Sequence, residues 1–406
     1  MKILHTADWH LGKKLETFSR FSEQQELMIE ICDIAEKENV DAVLIAGDIF
    51  DTVNPPIESI ELFYKSVKQL SNNGKRAVIA IAGNHDSPDR LESPDVLARE
   101  CGIIFSGYPN GLQREFSLST GLGITKVDNG FIELSLPNVE ERLRILLTPY
   151  ANESRLRTYL GCTNSDEELR THLQESWKDL ADKYCDDKGV NILLSHLFMV
   201  GEGEKAEEEG DDEKPILHVG GLQAIYYTNV PKQIQYTALG HLHRNQERTI
   251  EDRKFVYAGS PLSYSFGEVN QDKYVMILDV EGGKKAESKR IKLTKGKRLL
   301  RYRAKSVNDA LKWLEENQNT LVEVVIESDT FISADDRKLL YSSHDGIVSI
   351  IPDIKNKEDY LNKKTVNVDL TKNMDDLFEE YFEHIHKQKP NDRIIEVFKE
   401  VMGGDK

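Results

Sequence analysis

The sequence predicts an α/β protein whose main sheet is covered by helices, followed by a small separate α/β unit and a helical tail. Three observations carry that expectation. Short, wholly apolar runs alternate with amphipathic helical stretches near the start of the chain, the signature of a helix-covered sheet. Those apolar runs stop at Asp, Asn or His. After about Gly283 the pattern changes, and a basic β-like segment introduces a second, shorter series of helices and strands.

In chain order, residues 2–7 read as a buried strand ending at Asp8-Trp9-His10-Leu11-Gly12. Residues 20–38 are helical, with Leu27, Ile31, Ile34 and Ala35 on one face. A second strand, Val43-Leu44-Ile45, runs into Gly47-Asp48, and the pair Pro55-Pro56 opens a helix through Leu62, Phe63, Val67 and Leu70. The third strand, residues 77–82, ends in Gly83-Asn84-His85-Asp86. From Gly107 to Tyr150 the pattern is β, with Asp128-Asn129-Gly130 as a hairpin turn. A helix over 166–184 precedes a strand over 190–195 that ends at His196, and the strand 236–239 runs into Gly240-His241-Leu242-His243. Runs at 257–261 and 274–278 read as closing strands.

Beyond them, helices at 308–317 and 334–341 alternate with strands at 321–326 and 347–351. Two apolar stripes at helical spacing follow: Met374, Leu377, Phe378, Tyr381, Phe382 and Ile385, then, after Pro390, Ile394, Val397, Phe398, Val401 and Met402. The expected division is 1–282, 283–370 and 371–406. Two short helices after a finished unit suit docking on a partner.

A chain of 406 residues is too long for one ordinary core, and 39% hydrophobic with 30% charged residues describes a folding, water-soluble protein. No run approaches the ~20 apolar residues of a membrane span, and the apolar start is too short for a signal peptide. Four scattered cysteines without a C-x-x-C fit a reducing cytoplasm. The net charge of −17 argues against indiscriminate affinity for nucleic acid. The charge is uneven: residues 284–305 hold 11 Lys or Arg against one Glu, which leaves −27 elsewhere. Such a stretch can still meet phosphate. Residues 201–214 carry eight acidic side chains and read as a solvated loop.

The chemistry lies at the strand ends. Asp8 and His10, and again His241 and His243, are two apart; on an extended backbone such residues project to one side. Asp48, Asn84 and His196 each follow an apolar strand. Together they offer four imidazoles, two carboxylates and an amide oxygen, too many for one tetrahedral ion but suited to two, with Asp48 shared between them. An N/O set of this kind fits manganese, iron, cobalt or zinc better than magnesium or calcium. Two cations ~3.5–4 Å apart can hold a phosphate and activate a water for in-line displacement. His85 sits beside a ligand without being needed as one, so it is placed to give a proton to the leaving alkoxide. Asp51 is expected to hold the other ring nitrogen of His85 and fix its tautomer. His5, His172, His218, His344, His384 and His386 lack strand-end placement and read as ordinary histidines.

These strand-end motifs resemble the calcineurin-like metallophosphoesterases, and Leu11-Gly12 after Asp8-Trp9-His10, Ser87 and Arg90-Leu91 after Asn84-His85-Asp86, and Tyr257-Ala258-Gly259-Ser260-Pro261-Leu262 are the nuclease-like details. Within that family the chain is similar to the SbcD-like nuclease subunits of double-strand-break repair complexes, specifically over residues 1–265 and more loosely beyond. The resemblance implies a β-sandwich flanked by helices, a small α/β capping domain and a C-terminal helical tail. It implies one metal on Asp8, His10, Asp48 and His243, a second on Asp48, Asn84, His196 and His241, and His85 as the catalytic histidine. It further implies two manganese ions, 3′→5′ exonuclease activity on double-stranded DNA, and endonuclease activity on single strands and hairpins. Homodimerisation through the helices after Asp51 and Asp86 is expected, as is docking of the tail on the coiled-coil base of an SbcC-type ATPase to give a heterotetramer. The acidic insert at 202–213 departs from the pattern. A phosphatase or small-molecule phosphodiesterase would share the metal core, and a scaffold that has lost catalysis would share the fold. The basic segment, cap and tail argue against the former, and the complete ligand set against the latter.

Overall fold

The computed structural model describes residues 1–156, 165–204, 224–328 and 331–354, with isolated positions beyond 373. Two sheets pack face to face. The first has six strands in the order Glu287–Lys292, Tyr274–Asp279, Lys2–Thr6, Ala42–Ile45, Ala77–Ile81, Ile103–Ser106. The last four are mutually parallel, so their carboxyl ends share one edge. The second sheet has eight strands; its centre, Val139–Thr148, Gly189–Ser195, Tyr236–Leu239 and Arg253–Tyr257, is also parallel.

Strand periodicity explains why both sheets are buried on two faces. Ile3, Leu44, Ile79 and Ile81 point into the inter-sheet core and meet Ile132, Leu134, Ile145, Ile192 and Leu194 of the second sheet. The alternate residues Leu4, Val43, Ile45 and Val78 point outward, where the helices Phe21–Lys37 and Ile57–Leu70 cover them with Leu27, Ile31, Phe63 and Val67. The outer face of the second sheet is covered likewise by Leu169, Leu173 and Trp177 of the helix Ser165–Tyr184. The result is the helix-flanked β-sandwich.

The small unit is a parallel three-stranded sheet, Leu299–Ala304, Leu321–Ser328 and Ile347–Ile354, with the helices Val307–Glu316 and Ala334–Ser343. It packs back on the larger unit through Leu299 and Leu321 against Leu15 and Phe266. The strand Glu287–Lys292 belongs to the first sheet, paired antiparallel with Tyr274–Asp279. The sheet therefore continues past the expected boundary at 282/283. Sequence patterning hides this because an edge strand with one wetted face alternates weakly, and this one is mostly charged.

In the tail, Met374, Leu377, Phe378, Phe382, Ile394 and Phe398 are helical. The Phe378 and Phe398 rings stack at 4.0 Å, joining the two expected stripes. Tyr381, Ile385, Val397, Val401 and Met402 lie outside the described residues, as does the acidic insert from 205 onward.

Candidate metal centre

Beyond their formal ends the first two parallel strands keep pairing: Asp8 N–H donates to Gly47 O (3.0 Å), His10 N–H to Asp48 O (3.0 Å) and Leu11 N–H to Ile49 O (2.9 Å). This pairing lays Asp8, His10 and Asp48 side by side on the sheet edge. The backbone there is not extended. Asp8, His10 and Asp48 have φ of 52°, 43° and 47°, and His241 has 97°. The expected i, i+2 projection from a strand is thus corrected: the chain turns through the left-handed region at the ligand positions, a conformation that costs energy for non-glycine residues. Gly83 and Gly240 permit close approach, since a Cβ would lie 2.1 Å from Asp48 Oδ1 at the first and 1.9 Å from Ala46 O at the second.

The seven strand-end side chains converge. Around Asp48, His10 Nε2 lies 3.6 Å from Oδ2 and 3.0 Å from His243 Nε2. On the other side, His196 Nε2 lies 3.5 Å from Asp48 Oδ2 and 2.9 Å from Asn84 Oδ1, and Asn84 Oδ1 is 3.2 Å from His241 Nδ1. Asp8, His10 and Asp48 each offer a ligand atom within 4.8 Å of the others. Asp8 Oδ1 accepts the His241 N–H at 2.9 Å, while the buried Asp8 Oδ2 has no hydrogen-bond partner.

This donor set fits divalent cations. His196 Nδ1 donates to Ala46 O at 2.8 Å, which leaves the neutral ring only a lone pair to direct at the Asn84 amide oxygen, itself an acceptor. Two opposed lone pairs call for a cation or a proton between them. Without metal the proton takes that place: burial opposes charge on His196, but the Asp48 carboxylate overcomes it and raises the ring to about 9. Burial, above all, drives Asp8 up to about 7 and His10 well below the ordinary imidazole range. Burial also works to raise Asp48, yet the imidazoles of His196, His10 and His85 outweigh it and hold its carboxyl well below the usual range.

His85 adjoins the His10 side of the cluster: its ring centroid lies 5.0 Å from that of His10, and ligand atoms of His10, Asp51 and His85 lie within 4.8 Å of one another. The His85 N–H donates to Asp48 Oδ1 (2.9 Å), and its Nδ1 donates to the main-chain carbonyl of Asp51 (2.7 Å). The expected contact with the Asp51 carboxylate is therefore corrected. The tautomer is fixed by a backbone oxygen, and the Asp51 side chain instead pairs with Lys13 at 3.2 Å and lies 3.8 Å from His10 Nδ1.

Several supporting residues escape sequence reasoning because their signal exists only in three dimensions. The buried Asp86 carboxylate accepts the N–H groups of Ile49 (3.1 Å), Phe50 (2.9 Å) and Gly83 (2.8 Å), clipping the Asp48 loop to the Asn84 loop. Arg155 donates to the carbonyls of Gly83 (2.7 Å), Asn84 (3.3 Å) and Asp86 (2.8 Å) from above the Tyr150 ring. Glu268, buried and paired with Lys273, lies 3.6 Å from His243 Nδ1 and orients that imidazole from behind. The Tyr264 hydroxyl donates to Trp9 O at 2.5 Å and accepts from Gln24.

Residues 1–245 match the family model described as calcineurin-like phosphoesterase. Along its full length the chain is 34% identical to the SbcD component of the nuclease SbcCD from Bacillus subtilis (strain 168), covering 98% of that protein. The SbcD components of the same nuclease from Rhodobacter capsulatus and Staphylococcus epidermidis are each 32% identical, over 70% and 69% of this chain and 67% and 66% of theirs. With these matches laid over a strand-edge cluster of carboxylates and imidazoles, the chain belongs to the calcineurin-like phosphoesterases and, within them, to the SbcD family.

Proposed function

We propose that this chain is the nuclease component of an SbcC–SbcD-type complex and hydrolyses phosphodiester bonds in DNA with two divalent cations, manganese in the first instance. The observation that carries this reading is the seven-residue cluster in which Asp48 stands between two sets of lone pairs. Asp8, His10, Asp48 and His243 would hold one ion and Asp48, Asn84, His196 and His241 the other. When bound, such a pair supplies charge stabilisation for a phosphoryl centre and lowers the pKa of a water.

The protein's own groups do the rest. With Nδ1–H committed to the Asp51 carbonyl, His85 presents Nε2 as its only exchangeable position. In the imidazolium form it gives that proton to the leaving alkoxide as the P–O ester bond breaks and a water oxygen bonds to phosphorus. Asp86, Arg155 and Glu268 hold the loops that carry Asp48, Asn84 and His243.

The finer reading is a 3′→5′ exonuclease on duplex ends and an endonuclease on single strands and hairpins, acting in the cytoplasm. A homodimer is supported by Val53, Ile57, Val96 and Leu97, aliphatic side chains that are each more than half exposed on the segments after Asp51 and Asp86. The tail, with its stacked phenylalanines, would seat on a coiled-coil ATPase to give a heterotetramer. The three-part division stands in this reading with the first unit extended to Lys292. Among the described residues no helix is long and apolar enough to cross a membrane.

The test is cleavage of a linear duplex and of a nitrophenyl phosphate ester with manganese, for wild type and His85→Ala. Preferential cleavage of duplex, lost in His85→Ala while metal content stays near normal, is the expected result. Turnover of the ester alone would make the protein a small-molecule phosphatase, and loss of metal together with activity would make His85 structural.

A further inference from the structure

The segment joining the two units runs Leu293-Thr294-Lys295-Gly296-Lys297-Arg298, and it is held rigid from an unexpected quarter. Two glutamates of the first helix grip its main chain. Glu30 accepts the N–H of Thr294 (2.9 Å) and of Lys295 (3.0 Å) and the Thr294 hydroxyl (2.6 Å), and Glu23 accepts the Lys297 N–H (2.5 Å). Arg20, itself paired with Glu23, donates to Lys297 O. Gly296 has φ +96°, and a Cβ there would strike Leu262 at 2.5 Å, so the segment lies tight against the larger unit.

With the backbone fixed inward, the basic side chains are left outward. Lys289 and Lys292, in the strand just before, are neutralised by Glu38 and Asp272, each at 2.6 Å. Lys295, Lys297 and Arg298 are exposed and have no ion-pair partner among the described residues. They line one wall of a groove of about 520 Å³ whose opposite wall carries Glu268, Asp272 and Lys273, with Asp272 paired to Lys292 and Glu268 to Lys273. The three cations are thus presented side by side on a segment whose main chain is held by Glu23, Glu30 and Arg20.

Their position follows from register. Tyr274 is paired with Lys292, and His5 with Met276, which brings Ala7 level with Tyr274 across the same ladder. Lys292 is thus two strand spacings, roughly 10 Å, from the strand end that leads into Asp8 and His10. The basic segment continues from that point on the carboxyl edge of the sheet, the rim on which the metal centre sits. Lys273 ties the two together, since its ammonium donates to His243 O at 3.2 Å.

We infer that Lys295, Lys297 and Arg298 form a fixed phosphate-binding ledge that grips the backbone of the DNA flanking the bond being cut. This rests on the nuclease reading above. Four residues span at most ~13 Å of chain, and a duplex carries one charge per ~1.7 Å of axis, so a flank lying across the ledge offers more phosphates than the three cations need. No side chain here reads a base, and the grip is indifferent to sequence.

The test is the triple variant Lys295→Gln, Lys297→Gln, Arg298→Gln in the full chain. Binding to a 30-base-pair duplex is measured in EDTA as a function of salt, beside turnover of the nitrophenyl ester with manganese. Loss of three phosphate contacts makes the log–log salt slope shallower by about 2.7 and weakens binding on the order of 10²-fold at 0.1 M salt. Ester turnover stays at the wild-type level, because the ledge touches only the flank. An unchanged slope and affinity would overturn the assignment, as would ester turnover falling in step with duplex cleavage. Failure of wild type to cut duplex at all would instead overturn the nuclease reading on which the ledge depends.

Discussion

Arg155 gives the sharpest test of how the metal centre is held. Its guanidinium makes three hydrogen bonds to the carbonyls of Gly83, Asn84 and Asp86, so one side chain pins both flanks of Asn84 and the carbonyl of Asn84 itself. A hydrogen bond from a charged donor contributes about 1.5–3 kcal/mol. The Asn84 contact at 3.3 Å is long, and the bonds to Gly83 and Asp86 therefore carry most of the effect, about 3 kcal/mol at the lower figure. Part of this is recovered on truncation. Water can reach the freed carbonyls, and Asp86 still clips Gly83 to Ile49 and Phe50 through its own three bonds. A residual of about 1.4–2.7 kcal/mol then falls on the ordering of Asn84, which corresponds to a 10–100-fold rise in the metal concentration giving half-maximal activity. Arg155→Met should show this in a manganese titration followed by calorimetry and by ester turnover, with the rate at saturating metal within about tenfold of wild type. Arg155→Lys, which can reach one carbonyl, should lie between. If metal affinity is unchanged while the saturated rate collapses, Arg155 acts on the substrate and the positioning argument is wrong. If both are unchanged, the three bonds hold nothing that matters.

Other perturbations read different parts of the molecule. Asp51→Asn should leave ester turnover at saturating manganese within about fivefold of wild type, because its partly exposed pair with Lys13 is worth about 1 kcal/mol or less and the main-chain carbonyl that holds His85 is untouched. His5 is fully buried against the Tyr236 hydroxyl, and burial lowers its ring from 6.5 to about 3. A histidine depressed in the folded state costs nothing above its unfolded pKa and erodes stability as pH falls from there toward the folded value. Between pH 6.5 and 5 that loss is about 2 kcal/mol. Denaturant melts at pH 7 and 5 should therefore show wild type losing about 2 kcal/mol more than His5→Leu; equal losses would mean that the ring is not neutral in the fold. The pair Ile57→Glu and Leu97→Glu should shift the chain from dimer to monomer in sedimentation without lowering its melting temperature. An unaltered mass would place any dimer interface elsewhere.

Much of the site is legible in the sequence because sheet chemistry has a simple grammar. A wholly apolar run followed by Gly-Asp, Asn-His or His-x-His announces a strand buried on both faces and a polar group at its carboxyl end, and parallel strands bring such ends together. What cannot be read are distances closed by long loops. Asp86 reads as the last letter of an Asn-His-Asp turn, and nothing in its spacing says that it receives two N–H groups from residues 49 and 50. Arg155 lies 69 residues beyond the nearest carbonyl it clamps, and Glu268 lies 25 beyond the histidine it supports. The strand Glu287–Lys292 escapes for a different reason. Among the described residues it pairs only with Tyr274–Asp279, and an edge strand with a wet face keeps too few apolar residues to declare its sheet.

The left-handed backbone at Asp8, His10, Asp48 and His241 shows what the extended-strand reading leaves out. A ligand that simply continues a strand points above or below the sheet, into one of the helix-covered or inter-sheet layers. Reversing the sign of φ at the last residue turns the side chain past the edge and into the crevice, where ligands from both sheets can meet. Each such turn costs on the order of 1 kcal/mol or more, and four together approach a substantial fraction of a domain's ~5–15 kcal/mol stability. The fold holds them with the ladder bonds Asp8–Gly47, His10–Asp48 and Leu11–Ile49, and with the Asp8 carboxylate on the His241 N–H. The three ladder bonds are main-chain restraints, independent of any ion, so Asp8, His10 and Asp48 are positioned before a cation arrives. The remaining unfavourable term, the buried and unpartnered Asp8 Oδ2, is the one a divalent charge relieves. Backbone strain is thus met within the fold, and electrostatic strain is left for the metal.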